Sequence, residues 1–420
     1  MTRKVLFCPW SAGGGAGYTG RALAAAARLR GRFECAFGPS GVPRMVAEGG
    51  YRMIGEPAPD GAPKRVPAFL PFANVERVYA VTARYYRRSV LAEHLRRDLA
   101  AIDEYRPDVV VTDMQPTAVL AARLRGLPLV SIADTDFLSP DPLAWMPWSA
   151  ADPTTLLPHP SALDALDAVA TEHGLDPVGS IPELLWGDLT VVPSAPEVEP
   201  PPPAPPGRSG PAYVGPLYWD PPGAPYVPRA AAGTRRVYVS IGSGGMVADT
   251  ALREVLAACD RPDLSVFLSA GFAAREWLHR YPNVELGGFT GITGPIGWAD
   301  LVVNHGGYST VLAGLLHGKP QVVLPFMSEQ EANGRQFLAD HGAGLVARTT
   351  EVEPDGRIRY VNRHSGATDD PVVPAADLAA TIGEALDDAT LAQRAGYARD
   401  SLARLRAESD LAESFAALLR

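Results

Sequence analysis

Short unbroken apolar runs alternate with segments of helical period along most of the chain. Val5-Leu6-Phe7-Cys8 is the first run; it gives way to Ser11-Ala-Gly-Gly-Gly-Ala-Gly17 and then to the helix-forming stretch Arg21–Arg30, closed by Gly31. Strand, glycine loop and helix in that order open an α/β unit. Leu91, Leu95, Leu99 and Ile102 recur at helical spacing up to Tyr105, Pro107 ends them, and Asp108-Val-Val-Val-Thr-Asp113 reads as a strand buried on both faces. Thr117–Arg125 predicts the next helix and Leu129–Ala133 the next strand. Residues 134–160, rich in Pro, Trp and Asp and without period, predict a long loop or lid. Leu163–His173 then predicts a helix, and Leu189–Val192 the last strand of this half.

Pro200–Pro206, interrupted only by Ala204, is too proline-rich for a sheet interior, and Pro221–Ala232 reads as an interdomain linker. A second α/β series follows: strands at Arg236–Ile241, Leu264–Ser269, Asn283–Leu286, Leu301–Asn304 and Gln321–Leu324, a helix at Thr250–Asp260, and amphipathic helix over the last 30 or so residues. The plan is thus a Rossmann-like domain over 1–220, a linker over 221–235, a second such domain over 236–400, and a terminal helix over 401–420. Two sheets of this kind place a ligand cleft at their carboxyl ends.

Composition narrows the partners. Apolar residues are 46% and charged ones 20%, the balance of a globular protein with a sizeable core. A formal net charge of −9 argues against the clustered positive surface that nucleic acids or anionic membranes require. Cys8, Cys35 and Cys259 are odd in number and far apart, with no zinc or redox spacing, which points to a reducing compartment. Val5–Cys8 is too short for a secretory leader, and no run approaches the roughly 18 apolar residues of a membrane span. The expectation is a cytoplasmic monomer or homodimer that handles small molecules.

The densest chemistry lies in 299–333. A buried strand delivers His305, Gly306 and Gly307 to the start of a helix carrying Ser309 and Thr310. The glycines let backbone N–H groups approach a ligand, and a helix N-terminus favours negative charge. With a histidine donor and two hydroxyls, this is a diphosphate cradle that uses no metal. One strand later, Glu329 and Gln330 supply an acceptor and a bifunctional amide suited to the hydroxyls of a polyol. Near the amino end, the loop containing Gly14 and Gly15 suits an anionic acceptor, or is simply a tight turn; both readings stay open.

The 299–333 stretch closely resembles the donor-binding signature of GT-B nucleotide-sugar glycosyltransferases, particularly the family-1 enzymes that decorate natural products such as antibiotics. The resemblance extends to Tyr213-Val-Gly-Pro-Leu217, Val239-Ser-Ile-Gly-Ser243 and Arg106-Pro-Asp-Val-Val-Val-Thr-Asp113. It implies an α/β GT-B fold, two Rossmann-like domains facing a central cleft, with the last helix crossing back to the first. It also implies a metal-independent, inverting hexosyltransferase that uses a UDP- or dTDP-linked sugar and no other cofactor. Residue by residue, it implies that His305 and Thr310 hold the diphosphate, with Gly306, Gly307 and Ser309 shaping the loop and Ser243 beside the phosphates. Phe289 to Ile292 would pack on the base, and Glu329 and Gln330 would bind the sugar.

Two departures matter. A Glu that plant-type members use on the ribose aligns with Ala313, which leaves dTDP open beside UDP. The family's usual base, a His in a Gly-His pair, is replaced in Gly17-Tyr18, and a phenol of ordinary pKa about 10 is a poor base near neutrality. What replaces the base stays open. Asp113, which matches the Asp of the family's His–Asp dyad, or Tyr18 takes the proton, with Asp134 and Asp136 also facing the cleft. Alternatively, a phosphate, carboxylate or activated amine as acceptor needs little help. Asp134 and Asp136 follow the next strand and are expected on the acceptor side; their D-x-D spacing also suits a metal, but the donor signature sits in the other domain. Trp145, Trp148, Phe69 and Phe72 either wall the acceptor pocket or pack in the core. A transferase for a phosphorylated or lipid-linked acceptor and a non-catalytic activator of another enzyme are the alternative readings.

Overall fold

Strands apolar on both faces have to be covered on both faces, and two parallel sheets flanked by helices result. The computed structural model describes residues 2–10, 16–56, 74–141, 145, 160–242, 249–269, 280–288, 290–347, 350–352, 358–360 and 373–420. The first sheet comprises β1 (Arg3–Pro9), β2 (Phe33–Phe37), β3 (Arg52–Met53), β4 (Val109–Asp113), β5 (Leu129–Ile132), β6 (Leu189–Val192) and β7 (Ala212–Tyr213). Its order is β3-β2-β1-β4-β5-β6-β7, parallel throughout. The second comprises β8 (Arg235–Ser240), β9 (Leu264–Ser269), β10 (Val284–Gly287), β11 (Leu301–Asn304), β12 (Gln321–Val323) and β13 (Gly344–Val346). It runs β10-β9-β8-β11-β12-β13, also parallel. An antiparallel pair, β14 (Thr350–Val352) with β15 (Ile358–Tyr360), stands apart.

In both sheets the winding reverses at one place, between β1 and β4 and between β8 and β11. The loops leaving those carboxyl ends diverge and open a crevice. Trp10 and Asp113 therefore flank the first crevice, and Ile241 and His305 the second.

Several expectations are corrected. Leu189–Val192 is not the last strand of the first half: Ala212–Tyr213 adds an edge strand, and Val214 N–H continues the pairing to Val192 O at 3.1 Å. The first helix starts at Ala16 rather than Arg21, so Tyr18 and Arg21 lie three residues apart on one helical face. Of the two readings of Trp145, packing in the core is the one seen: it is fully buried edge-on against Phe137 at 5.1 Å. Trp148, Phe69, Phe72, Gly14, Gly15, Ser243 and Phe289 lie outside the described residues. The stretch read as a linker is laid on the second domain, with the Tyr226 ring 5.3 Å from that of Phe267 and Ala231 N–H donating to Ser265 Oγ.

The carboxyl-terminal segment ties the domains together. Helix Ala389–Glu408 packs Ala395 and Leu402 on the second-domain helix Tyr308–Leu316. After a break at Ser409-Asp410, helix Leu411–Leu418 inserts Leu411, Ala412 and Phe415 into the core of the first domain beside Val5 and Leu29. Arg28 fixes the crossing by donating to Val214 O at 3.0 Å and Ser409 Oγ at 3.2 Å. Gly215 is required where the two segments touch: its φ is +67°, and a Cβ there would stand 2.5 Å from the Arg406 backbone nitrogen. Replacing Phe415, 1% exposed, with Ala should destabilise the protein by about 3–5 kcal/mol. The urea midpoint measures this, and a shift equivalent to under about 1 kcal/mol would mean the last helix is not part of the core.

Candidate active site

On the second-domain side, β11 ends in Asn304, and the chain turns through His305, Gly306 and Gly307 into helix Tyr308–Leu316. The turn is fixed from beneath. Asn304 Oδ1 accepts from Gly306 N–H at 2.8 Å, while Asn333 donates to Gly306 O at 2.9 Å and to Glu329 Oε1 at 2.8 Å. Gly306 has φ +83°, and a Cβ on it would meet Gln330 O at 2.3 Å, so only glycine fits. A Cβ on Gly307 would lie 2.5 Å from His305 Nε2.

His305 Nδ1 is 3.3 Å from Ser240 O. A carbonyl only accepts, so Nδ1 carries the hydrogen and Nε2 is the ring atom presented beside Gly242 and Gly307. Burial lowers the imidazole pKa, which keeps the ring neutral near pH 7. Gln330 spends its Oε1 on Phe326 N–H at 2.8 Å, leaving the NH2 as its polar end toward the cavity. Ala313 is fully buried among Tyr238, Phe267 and Val302 and offers nothing to a ligand.

On the first-domain side the organising group is Arg21, 2% exposed. Its Nε and Nη2 donate to the two oxygens of Asp113 at 2.9 and 2.7 Å, and its Nη1 donates to Asp134 Oδ1. The guanidinium lies 5.0 Å from the ring centres of both Tyr18, on its own helix, and Tyr308, on the opposite domain. Tyr308 in turn donates to Glu199 Oε2 at 2.6 Å, and Glu199 Oε1 accepts from Thr135 N–H, next to Asp134, at 2.5 Å. The two domains thus meet through one buried polar network.

Between these sides lies a cavity of about 270 Å3. Its first-domain wall is mainly apolar, with Trp10, Met45, Val78 and Phe137, and its polar groups there are Tyr18, Arg21, Thr82 and Asp134. The opposite wall holds His305, Ser309, Thr310, Glu329 and Gln330, with Tyr218, Trp219 and Ile292 beyond them. Carboxyls crowd the gap. Burial pushes Glu329 and Glu199 each up to about 8, with Asp134 adding repulsion to both. Burial likewise raises Asp113 to about 7 and also raises Asp134, against the pull of Arg21 in both.

The structure brings His305, Gly307, Ser309, Thr310, Glu329, Gln330, Ile292, Tyr18 and Asp134 to this cavity, with Gly306 just beneath. Three sequence-based candidates need correction. Asp113 does not line the cavity and has both oxygens committed to Arg21, so it is not placed to take a proton from a ligand. Tyr18 lines the cavity, but burial, reinforced by Glu329, pushes its phenol well above the ordinary value and keeps it protonated. Asp136 does not line the cavity; burial raises it to about 7. Among the described residues no group of three His, Cys, Asp or Glu is placed to hold a metal ion. No described helix is long and apolar enough to cross a membrane.

Sequence reasoning missed Arg21, Glu199, Tyr308, Tyr218 and Trp219. Arg21 alone carried a signal, a charge directly before the apolar stretch Ala22–Ala27. Glu199 sits among prolines, and only the tertiary fold brings it to Tyr308.

Residues 271–363 match the glycosyltransferase family 28 C-terminal domain. A PGL/p-HBAD biosynthesis glycosyltransferase of Mycobacterium tuberculosis (strain H37Rv) is 28% identical over 298 residues, which take in 65% of this chain and 66% of that protein. A PGL/p-HBAD biosynthesis rhamnosyltransferase of Mycobacterium bovis (strain BCG / Pasteur 1173P2) is 28% identical over 290 residues, 64% of this chain and 63% of that one. The chain thus spans just under two thirds of the length of these curated relatives. The solved structure of the spinosyn rhamnosyltransferase SpnG complexed with thymidine diphosphate superposes with a TM-score of 0.67 at 19% identity, covering 99% of this chain and 100% of that one. The chain thus has the two-domain GT-B fold of this solved structure, and within it residues 271–363 match a glycosyltransferase family 28 C-terminal domain.

Proposed function

We propose that the chain transfers a hexose or deoxyhexose from a UDP- or dTDP-linked donor to a hydroxyl of a small, largely apolar acceptor, with inversion. The observation that carries this reading is the pairing of a built anion cradle on one wall of the cavity with an apolar wall opposite. In the reaction the acceptor oxygen bonds to the anomeric carbon as the bond from that carbon to the diphosphate oxygen breaks. The electron pair leaves with the nucleoside diphosphate. His305, the Thr310 hydroxyl and the first-turn N–H groups of helix Tyr308–Leu316 meet the growing charge there, the preorganised electrostatics that dominate such steps. This charge compensation calls on no metal. Glu329, mostly protonated at neutrality, and the Gln330 NH2 offer hydrogens to sugar hydroxyls. The relatives named as rhamnosyltransferases, and thymidine diphosphate in one of them, make dTDP-rhamnose the first donor to try.

Thermal unfolding against UDP, dTDP, GDP and ADP tests the donor class. A ligand at 100 times its Kd adds about 2.7 kcal/mol to the folded state. A Tm rise of several degrees is expected with UDP or dTDP and is expected to be lost in His305→Ala; no rise with any of the four from well-folded protein would contradict the reading.

Binding should also take up a proton. In the ligand-free protein, His305 Nδ1–H is turned to Ser240 O and the lowered pKa leaves Nε2 bare. A diphosphate oxygen is itself an acceptor, so contact requires a hydrogen on Nε2 and raises the ring's pKa. The gain is full at low pH and is lost as pH rises through the bound-state value. Calorimetry of dTDP and UDP in buffers of different ionisation enthalpy should show this uptake in the wild type and not in His305→Asn. Equal proton linkage in both would exclude His305 from the phosphate contact.

A further inference from the structure

Transfer as proposed needs a group on the acceptor side of the cavity to receive the acceptor's proton. Asp113 is turned away with both oxygens on Arg21, and Tyr18 stays protonated. His305 and Glu329 stand on the donor wall, one with Nδ1–H given to Ser240 O and the other with Oε1 engaged by Asn333. Asp134 is the remaining carboxyl of the cavity lining. It follows the carboxyl end of β5, is 3% exposed, and is held by Arg21 through Oδ1 alone, which leaves Oδ2 to meet a ligand.

We infer that Asp134 is the general base of the transfer and that Arg21 is its positioning residue, the two forming an arginine–carboxylate clamp on the acceptor side of the cavity. The inference rests on the transferase reading above. In the step, the acceptor O–H proton passes to Asp134 Oδ2 while the acceptor oxygen bonds to the anomeric carbon and the diphosphate departs with its electron pair. Solvent then removes the proton from Asp134. Arg21 suits the positioning task because its planar fork grips two carboxylates at once and cannot lose its charge. The rings of Tyr18 and Tyr308, each centred 5.0 Å from the guanidinium carbon, pack it from both domains.

The groups facing Asp134 set its proton affinity. Arg21 and Tyr18 come from helix Ala16–Leu29, Asp113 from β4, Glu199 from the segment after β6, Tyr308 and Glu329 from the second domain, and Asp136 from its own helix. Burial raises Asp134 and Arg21 lowers it, which moves the carboxyl toward the neutral range where a base is most effective.

The test uses the full chain with dTDP-rhamnose and UDP-glucose as donors, and two acceptor probes of different acidity, 4-nitrophenol and 4-propylphenol. Asp134→Asn keeps the shape and leaves Arg21 paired with Asp113. It is expected to bind dTDP as the wild type does and to lose about 100-fold or more in kcat with 4-propylphenol. With 4-nitrophenol, which attacks as its phenolate, the loss should be small. Arg21→Lys should move the acidic limb of the pH–rate profile to higher pH, whereas a merely structural role would lower kcat at every pH and leave the limb in place. Equal losses with both phenols, an unshifted limb, or an acidity-dependent loss in Asp113→Asn but not in Asp134→Asn would overturn the assignment. A wild type that binds dTDP yet passes sugar to neither phenol nor water would overturn the transferase reading, and the base with it.

Discussion

A guanidinium that cannot lose its charge, shut away from water, obliges the chain to supply partners, and the site is built around that obligation. Arg21 is met by the carboxylates of Asp113 and Asp134 and by the rings of Tyr18 and Tyr308. Burial raises the neighbouring acids Glu329 and Glu199, and the charge of Asp134 adds to the effect in both. The backbone is bent to suit. Met114, directly after Asp113, has φ +63°, a conformation costly for a bulky residue, and the turn around it is closed by Thr112 Oγ1 with Gln115. Removing one partner from such a buried pair typically costs about 3–5 kcal/mol, so the cluster is structural even before it is chemical.

The same cluster couples the two domains. Tyr308 is the first residue of the helix whose N-terminus faces the cradle, the lid on Arg21, and the donor to Glu199. Glu199 meanwhile satisfies the N–H of Thr135, next to Asp134. A shift of helix Tyr308–Leu316 would therefore disturb the phosphate cradle and the acceptor-side carboxylate together. The terminal helix Leu411–Leu418, seated in the first domain by Phe415, limits such shifts from the far end of the molecule.

Much of the fold was legible because parallel strands buried on both faces read as unbroken apolar runs; Val109–Asp113 and Leu301–Asn304 lie where the sequence places them. Three strands of the first sheet were not. Arg52–Met53 and Ala212–Tyr213 are two residues long, too short for any period to register, and Phe33–Phe37 is only partly buried. The donor cradle was legible for a different reason: its chemistry is local, carried by consecutive residues from Asn304 to Thr310. The acceptor side was not, since it gathers Arg21, Asp113, Asp134 and Glu199 from four separated segments. The motif alone makes Asp113 a proton acceptor; it does not show that Arg21, one helical turn beyond Tyr18, takes both of its oxygens.

The account turns on one spatial claim, that the diphosphate sits on the His305 loop and the anomeric carbon faces Asp134 across the gap. A crystal structure with a dTDP- or UDP-linked sugar tests it most directly. The account predicts phosphate oxygens within hydrogen-bond distance of His305 Nε2 and the Thr310 hydroxyl, with Asp134 Oδ2 on the open side of the anomeric carbon. Phosphates seated instead on the glycine loop before Ala16, or a sugar turned away from Asp134, would contradict it.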